Sequence, residues 1–154
     1  MEKLPYINAA LLCERIIQEK EGTLSAIRII DRLEFGLLTN NPELEKLNVR
    51  PAVPISALIA IKSGPVTGKF NLNIDGVKPS GKTKHLLTLP FELKGEHEGQ
   101  NFIVNIMQGT EEEGLHWFEI RLDETLLTKI PLMLVRKIEP EKTGAQTIDP
   151  QNRE

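Results

Sequence analysis

Residues 115–135 read LHWFEIRLDETLLTKIPLMLV, two runs in which large apolar residues recur at every second position, joined by the polar pair Asp123 and Glu124. A period of two is a strand's period, because successive side chains leave a strand on opposite faces. Two such runs joined by a short polar break predict a β-hairpin. The same rhythm spreads outward from there. Residues 55–62, 68–75, 84–93 and 100–108 alternate in turn, separated by SGPVTG, DGVKPSGK, KGEHEG and GTEEEG. Gly, Pro and Asp in those clusters interrupt strands and favour turns. With two further strands near the N-terminus the total is about eight. The chain therefore reads as an all-β protein, an antiparallel β-sandwich of immunoglobulin-like or jelly-roll-like kind.

The N-terminal part is less decided. Ala9, Cys13 and Ile17, with Leu12 and Ile16 beside them, fall at helical spacing, and Asn8 and Gly22 would serve as cap and stop. The following run TLSAIRIIDRLEF is β-branched and alternating, which places Ile27, Ile29, Leu33 and Phe35 on one face, with Glu21 and Gly22 as a hairpin tip. Strand and helix thus compete over residues 8–19. Between Gly36 and Pro54 alternation is lost around Asn40-Asn41-Pro42, which predicts a long connection with one helical turn at PELEKL. We expect one domain over residues 1–138 and a flexible polar tail over 139–154, where Ile148 is the one large apolar residue.

A chain of 154 residues can bury about 70% of its extended surface around a single core, so it needs no staple. Net charge is -3, with lysines spread along the chain, which gives no footprint for nucleic acid or an anionic membrane. Cys13 is the only cysteine, so no internal disulfide forms and a cytoplasmic protein is expected. The opening MEKLPYINAALLC lacks the layout of a signal peptide or lipidation site: Glu2, Pro5 and Asn8 break its apolar stretch, and Leu12 precedes the cysteine where a small residue belongs. No apolar run approaches the roughly 20 residues that cross a bilayer as a helix.

Three segments carry a likeness. AALLCERIIQEKEGTLSAIRIIDRLEF, VTGKFNLNIDGVKPSGK and GLHWFEIRLDETLLTKIPLMLV together resemble an uncharacterised family of short bacterial all-β proteins, in which a Leu-Cys-Glu strand leads through a Gly turn into a strand ending in Asp. The resemblance spans most of residues 6–136. It implies a sandwich and favours strand over helix for residues 8–19, and it carries no activity and no functional residues.

The motif closest to chemistry is Gly76-Val77-Lys78-Pro79-Ser80-Gly81-Lys82-Thr83, a match to G-x-x-x-x-G-K-[ST] after a strand. A phosphate-binding loop needs a helix starting at its Lys, so that the helix N-terminus faces the phosphates. Here KHLLTLPFELKG follows, with Pro90 and Gly95 breaking any helix and Leu87, Leu89 and Phe91 alternating, so a hairpin tip is expected. A phosphate or nucleotide site at Gly76, Gly81, Lys82 and Thr83 is the alternative.

His85, His97 and His116 lack metal-motif spacing, so no metal site is expected, and all three read as solvated or rim residues. Cys13 lies among Leu11 and Leu12, where a buried unreactive thiol is expected in place of a Cys-His pair. Strict alternation places Glu14 between Leu12 and Ile16, and Asp31 between Ile29 and Leu33. Buried acids there would need a partner such as Arg15, Arg28 or Arg32, or a bulge that turns them outward.

Trp117 is the best binding hint. Phe118, Ile120 and Leu122 fill one face of their strand, and Leu115, Trp117, Glu119 and Arg121 share the other. An aromatic on the more polar face either anchors a partner or a sugar, or is covered by a neighbouring segment. The polar row Asn71, Asn73 and Asp75 reads as a solvated face. The expectation is a non-enzymatic interaction or structural module without a cofactor. It binds another protein or a second copy through strand edges and the Trp117 face, with a small-ligand-binding domain as the alternative.

Overall fold

Nine strands form among the described residues, most of them where the sequence alternates: β1 (Tyr6–Gln18), β2 (Leu24–Ile30), β3 (Arg32–Phe35), β4 (Ala52–Lys62), β5 (Thr67–Val77), β6 (Thr83–Lys94), β7 (Gly99–Gly109), β8 (Gly114–Leu122) and β9 (Thr125–Arg136). They belong to a computed structural model that describes residues 4–36, 43, 50–96 and 98–137. The tail over 139–154 lies outside the described residues, as does the expected turn of helix at PELEKL apart from Glu43, which is helical.

The strands make two sheets. Sheet A has the order β2-β1-β4-β7 and sheet B the order β3-β9-β8-β5-β6. Alternating apolar residues on facing surfaces fill the space between: Leu12, Ile55, Ala57, Ile59, Ile61, Phe102, Val104 and Ile106 from sheet A meet Leu72, Ile74, Phe118, Ile120, Leu132 and Leu134 from sheet B. Phe91 on β6 closes one side of this core, edge-on to Phe102 at 5.0 Å between ring centroids. The expected sandwich is thus the fold, with nine strands among the described residues where about eight were expected.

Residues 8–19 resolve as strand. β1 pairs antiparallel with both β2 and β4, so its backbone hydrogen bonds lie in two ladders, and this tertiary pairing overrides the helical spacing of its side chains. Gly22 at φ +83° sits in the turn into β2, a conformation in which a Cβ is strained. The hairpin over residues 115–135 forms with Asp123 at φ +50° in its turn. That turn is fastened by Asn71, whose N–H donates to Asp123 Oδ1 at 2.9 Å.

One sequence expectation fails at Asp31. The run TLSAIRIIDRLEF is two strands, because the chain leaves sheet A at Asp31 and enters sheet B. Alternation does not survive a change of sheet. Phe35 enters the core with Leu33 against it, whereas Ile29 is 66% exposed and Ile30 is the residue packed inward, opposite Leu12. The crossing also makes β3 run parallel to β9, the one departure from antiparallel pairing in the described sheets.

Glu14 and Asp31, which strict alternation sets among apolar neighbours, are both exposed. Glu14 meets Arg28 at 3.3 Å on the β1–β2 hairpin, which reaches beyond the core cluster, and Asp31 occupies the crossing, where its carbonyl accepts from Met133 N–H at 2.9 Å.

Candidate functional site

The outer face of sheet B holds the four residues predicted as a contact surface. Leu115, Trp117, Glu119 and Arg121 alternate with His116, Phe118, Ile120 and Leu122, which are all buried. Trp117 is half-buried between Val77 on β5 and Pro131 on β9, and the Lys129 ammonium stands 5.9 Å from its ring centroid. That lies within cation–π reach. The N-terminal strand belongs to the other sheet, so Trp117 is wedged within its own sheet, not covered by residues 6–18.

Beyond Trp117 this face is a polar lattice. Arg121 bonds Glu119 and approaches Asp75 at 3.8 Å; Asp75 Oδ1 meets His85 Nδ1 at 2.7 Å; His85 Nε2 meets Thr88 Oγ1 at 2.9 Å. Asp75, His85 and Thr88 thus have the connectivity of an acid–base–nucleophile triad, which calls for a check on the protons. Asn73 Nδ2 donates to the Asp123 carbonyl at 2.9 Å, which fixes the orientation of its amide and leaves Oδ1, an acceptor, facing Thr88. The Thr88 hydroxyl donates to that Oδ1 at 2.6 Å. Its single hydrogen is committed there, so Thr88 Oγ1 can only accept from His85, the reverse of what an activated nucleophile requires.

The stretch Gly76–Thr83 is the end of the β5–β6 hairpin. Gly76 and Thr83 lie in the strands, and the tip closes through Gly81 N–H to the Lys78 carbonyl and Lys78 N–H to the Lys82 carbonyl, at 2.8 and 2.9 Å. Ser80 N–H donates to Glu112 Oε1 at 3.2 Å. Hydrogen bonding from the Ser80 side chain, and after it this bond from the Ser80 N–H, lowers the Glu112 pKa, with Lys78 and Lys82 nearby acting in the same direction. A carboxylate therefore holds one of the N–H groups a phosphate would use, and β6, not a helix, follows Lys82.

The histidines divide. His85 is exposed, as expected, and His97 lies outside the described residues. His116 is a correction: it is 5% exposed and points inward on β8, where its Nε2 donates to the Glu112 carbonyl at 2.8 Å. The phase of its strand, shared with Phe118 and Ile120, was the signal for this burial. Cys13 is fully buried, and desolvation raises its pKa. Among the described residues, no group of three His, Cys, Asp or Glu side chains is placed to hold a metal ion.

A cleft of about 280 Å³ opens between the β6 and β7 edges of the sandwich, where Leu86, Ile106, Phe118 and His116 form its floor and Lys78 and Lys84 stand among its walls. This is just below the roughly 300–1,000 Å³ of ordinary small-molecule sites.

Sequence reasoning missed the outer face of sheet A. Pairing registers align Leu11, Leu58 and Ile103 in one row across β1, β4 and β7, and Ile29, Cys13, Ser56 and Asn105 in the next. Ile27 and Met107 extend the surface. Met107 is 66% exposed and Ile103 42%. A sandwich needs only one apolar face per sheet, so a second one on sheet A is surplus to folding. Its sequence signal is the absence of clean alternation in AALLC and PISALIAI, where both phases are apolar.

No family model matches this chain, and no curated protein matches it. Among solved structures it is similar to a β-glucosidase from Listeria innocua, at TM-score 0.51 and 8% identity over 88% of this chain and 17% of that one. The glucose complex of that enzyme gives TM-score 0.49 at 9% identity, over 84% of this chain and 16% of that one. The chain thus spans about one sixth of the protein it resembles. At this identity the likeness shows a shared β-sandwich fold and nothing of activity.

Proposed function

We propose that this protein is a non-enzymatic interaction or structural module that holds another protein, or a second copy of itself, through the outer face of sheet A. One observation carries the reading: Ile29, Leu11, Leu58, Ile103 and Met107 form an apolar surface that the sandwich does not cover. Exposed apolar side chains clustered on one face mark contact sites on soluble domains. The outer face of sheet B supports a lesser role, since the polar groups around Asp75 and His85 largely satisfy one another and its apolar residues, Leu115 and Trp117 beside Val77, Pro131 and Met133, are confined to one end of it. The proton arrangement around Thr88 favours a non-catalytic reading of that face. A single buried cysteine suits a reducing cytosol.

Affinity capture tests the reading with wild type, Ile29→Glu, Met107→Glu and Trp117→Ser in parallel. A binding species that is lost in the first two variants and kept in the third supports it. Wild type that binds nothing and does not self-associate overturns it.

A small-ligand site is the second reading, favoured by the cleft beside Lys78 and Lys84. Trp117 lines that cleft and is the only tryptophan, so its fluorescence would report binding. A ligand that shifts this fluorescence and raises the melting temperature supports the second reading.

A further inference from the structure

Among the described residues the two sheets have four edge strands, treated very differently. On sheet B, β3 is only four residues long and carries Arg32 and Glu34, and β6 carries Lys84, Pro90, Glu92 and Lys94, with a bulge opposite Ile74 and Asp75. On sheet A, β2 carries the charged Arg28 with an irregular backbone, φ +54°. Short length, charge, proline, bulges and kinks are the devices by which edges avoid pairing with other chains. β7, GQNFIVNIMQG, has none of these: it contains no charge and no proline, and its eleven residues run opposite β4 from Gly99 to Gly109 without a register shift.

The ends of β7 are also distinctive. A Cβ built on Gly99 would meet Lys62 Nζ at 3.0 Å, and one built on Gly109 would meet Glu111 Oε2 at 2.5 Å. The lysine ammonium and the glutamate carboxylate therefore lie over opposite ends of the strand. Both glycines share the phase of Asn101, Ile103 and Met107, so both charges lie on the outer face of sheet A. Among the described residues neither Lys62 nor Glu111 has an ion-pair partner.

We infer that β7 is a pairing edge for the β7 of a second copy, antiparallel about a two-fold axis at Val104. This register sets Gly99 against the partner's Gly109, which places each Lys62 beside the other copy's Glu111. It also sets Gln100 against Gln108, Asn101 against Met107, Phe102 against Ile106 and Ile103 against Asn105. A two-fold contact must be self-complementary. Here a strand without charge avoids like-charge repulsion across the axis, and opposite charges meet at both ends, within the roughly 5 Å that separates directly opposed positions in a sheet. The product is one continuous eight-stranded sheet whose apolar outer face runs through both copies. The inference rests on the interaction-module reading and names its partner.

Sedimentation velocity at low ionic strength tests it, over a concentration series, with Lys62→Glu, Glu111→Lys, the double reversal and Ile103→Lys. All these positions are exposed, and circular dichroism confirms that each variant is folded. Wild type dimerises. Each single reversal weakens the dimer about tenfold, because two symmetric contacts turn repulsive at about 0.7 kcal/mol each. The double reversal restores it, and Ile103→Lys abolishes it by placing two ammonium groups near the axis. A wild type that stays monomeric overturns the inference, as does a double reversal no better than the singles. A monomer that still captures a partner through Ile29 and Met107 overturns only the β7 contact, whereas a monomer that captures nothing overturns the interaction reading as well.

Discussion

Replacing Ile59 and Ile29 separately by alanine distinguishes the two faces of sheet A. Ile59 is fully buried on central strand β4, and Ile29 is 66% exposed on edge strand β2. Each change removes three carbons, worth about 0.8 kcal/mol apiece when fully buried, or about 2.4 kcal/mol at Ile59. A residual cavity adds to this, so Ile59→Ala costs about 3–4 kcal/mol. At Ile29 roughly a third of the side chain is shielded and no cavity forms, so about a third of the transfer energy is lost, about 0.8 kcal/mol. For a domain of this size each kcal/mol moves the melting temperature by about 2–4 °C. Thermal melts should therefore fall by about 6–16 °C for Ile59→Ala and by about 2–3 °C for Ile29→Ala. Urea titrations should show shifted midpoints with unchanged slopes. Equal costs at the two sites, in dilute monomeric protein, would refute the assignment of Ile29 to an uncovered outer face.

Other predictions follow from single groups. Cys13 is fully buried with a raised pKa, so alkylation at pH 8 should be slow in native protein and fast in urea, and comparable rates would contradict its burial. Glu112 has a lowered pKa through its bond with Ser80. A depressed carboxylate stabilises the fold above its unfolded pKa, so the contribution is present at neutral pH and is lost as pH falls through the native value. Amide exchange at Ser80 should be protected at neutral pH in wild type but not in Glu112→Ala, which has no acceptor there, with no effect on β4; equal protection in both would remove the carboxylate from the tip. Disrupting the turn with Asp123→Ala should cost about 1 kcal/mol by leaving Asn71 N–H without its acceptor, measured by urea denaturation. A change too small to measure would show that water replaces the carboxylate.

Much of the fold was legible because one face of most strands is apolar and the other polar. LHWFEIRL and FNLNID declare their phase, and Phe118, Ile120, Leu72 and Ile74 are in the core. Legibility ended where both phases are apolar. In AALLC and PISALIAI, alternation cannot say which side meets sheet B, so neither the inward phase of Leu12, Ile55 and Ile59 nor the surplus outer face could be read. It also ended at Asp31, where one residue outside either strand changes sheet and resets the phase, putting Ile29 in solvent and Ile30 inside. The alternation of β8 put Leu115, Trp117, Glu119 and Arg121 on one face, but the polar lattice of that face depends on long-range pairing of β5, β6 and β8, which composition does not encode. The contrast among edges was present in residue types, with charge and proline in β6 and neither in β7. It acquires meaning only once the sheet order shows which strands are edges.

Hydrogen exchange by mass spectrometry at low and high protein concentration tests the central claim most directly. The account predicts that amides within Gly99–Gly109 gain protection as concentration rises, while those of the charged edge β6 exchange at the same rate throughout. Protection that does not change in β7, or that rises instead over Leu115–Arg121, would contradict it.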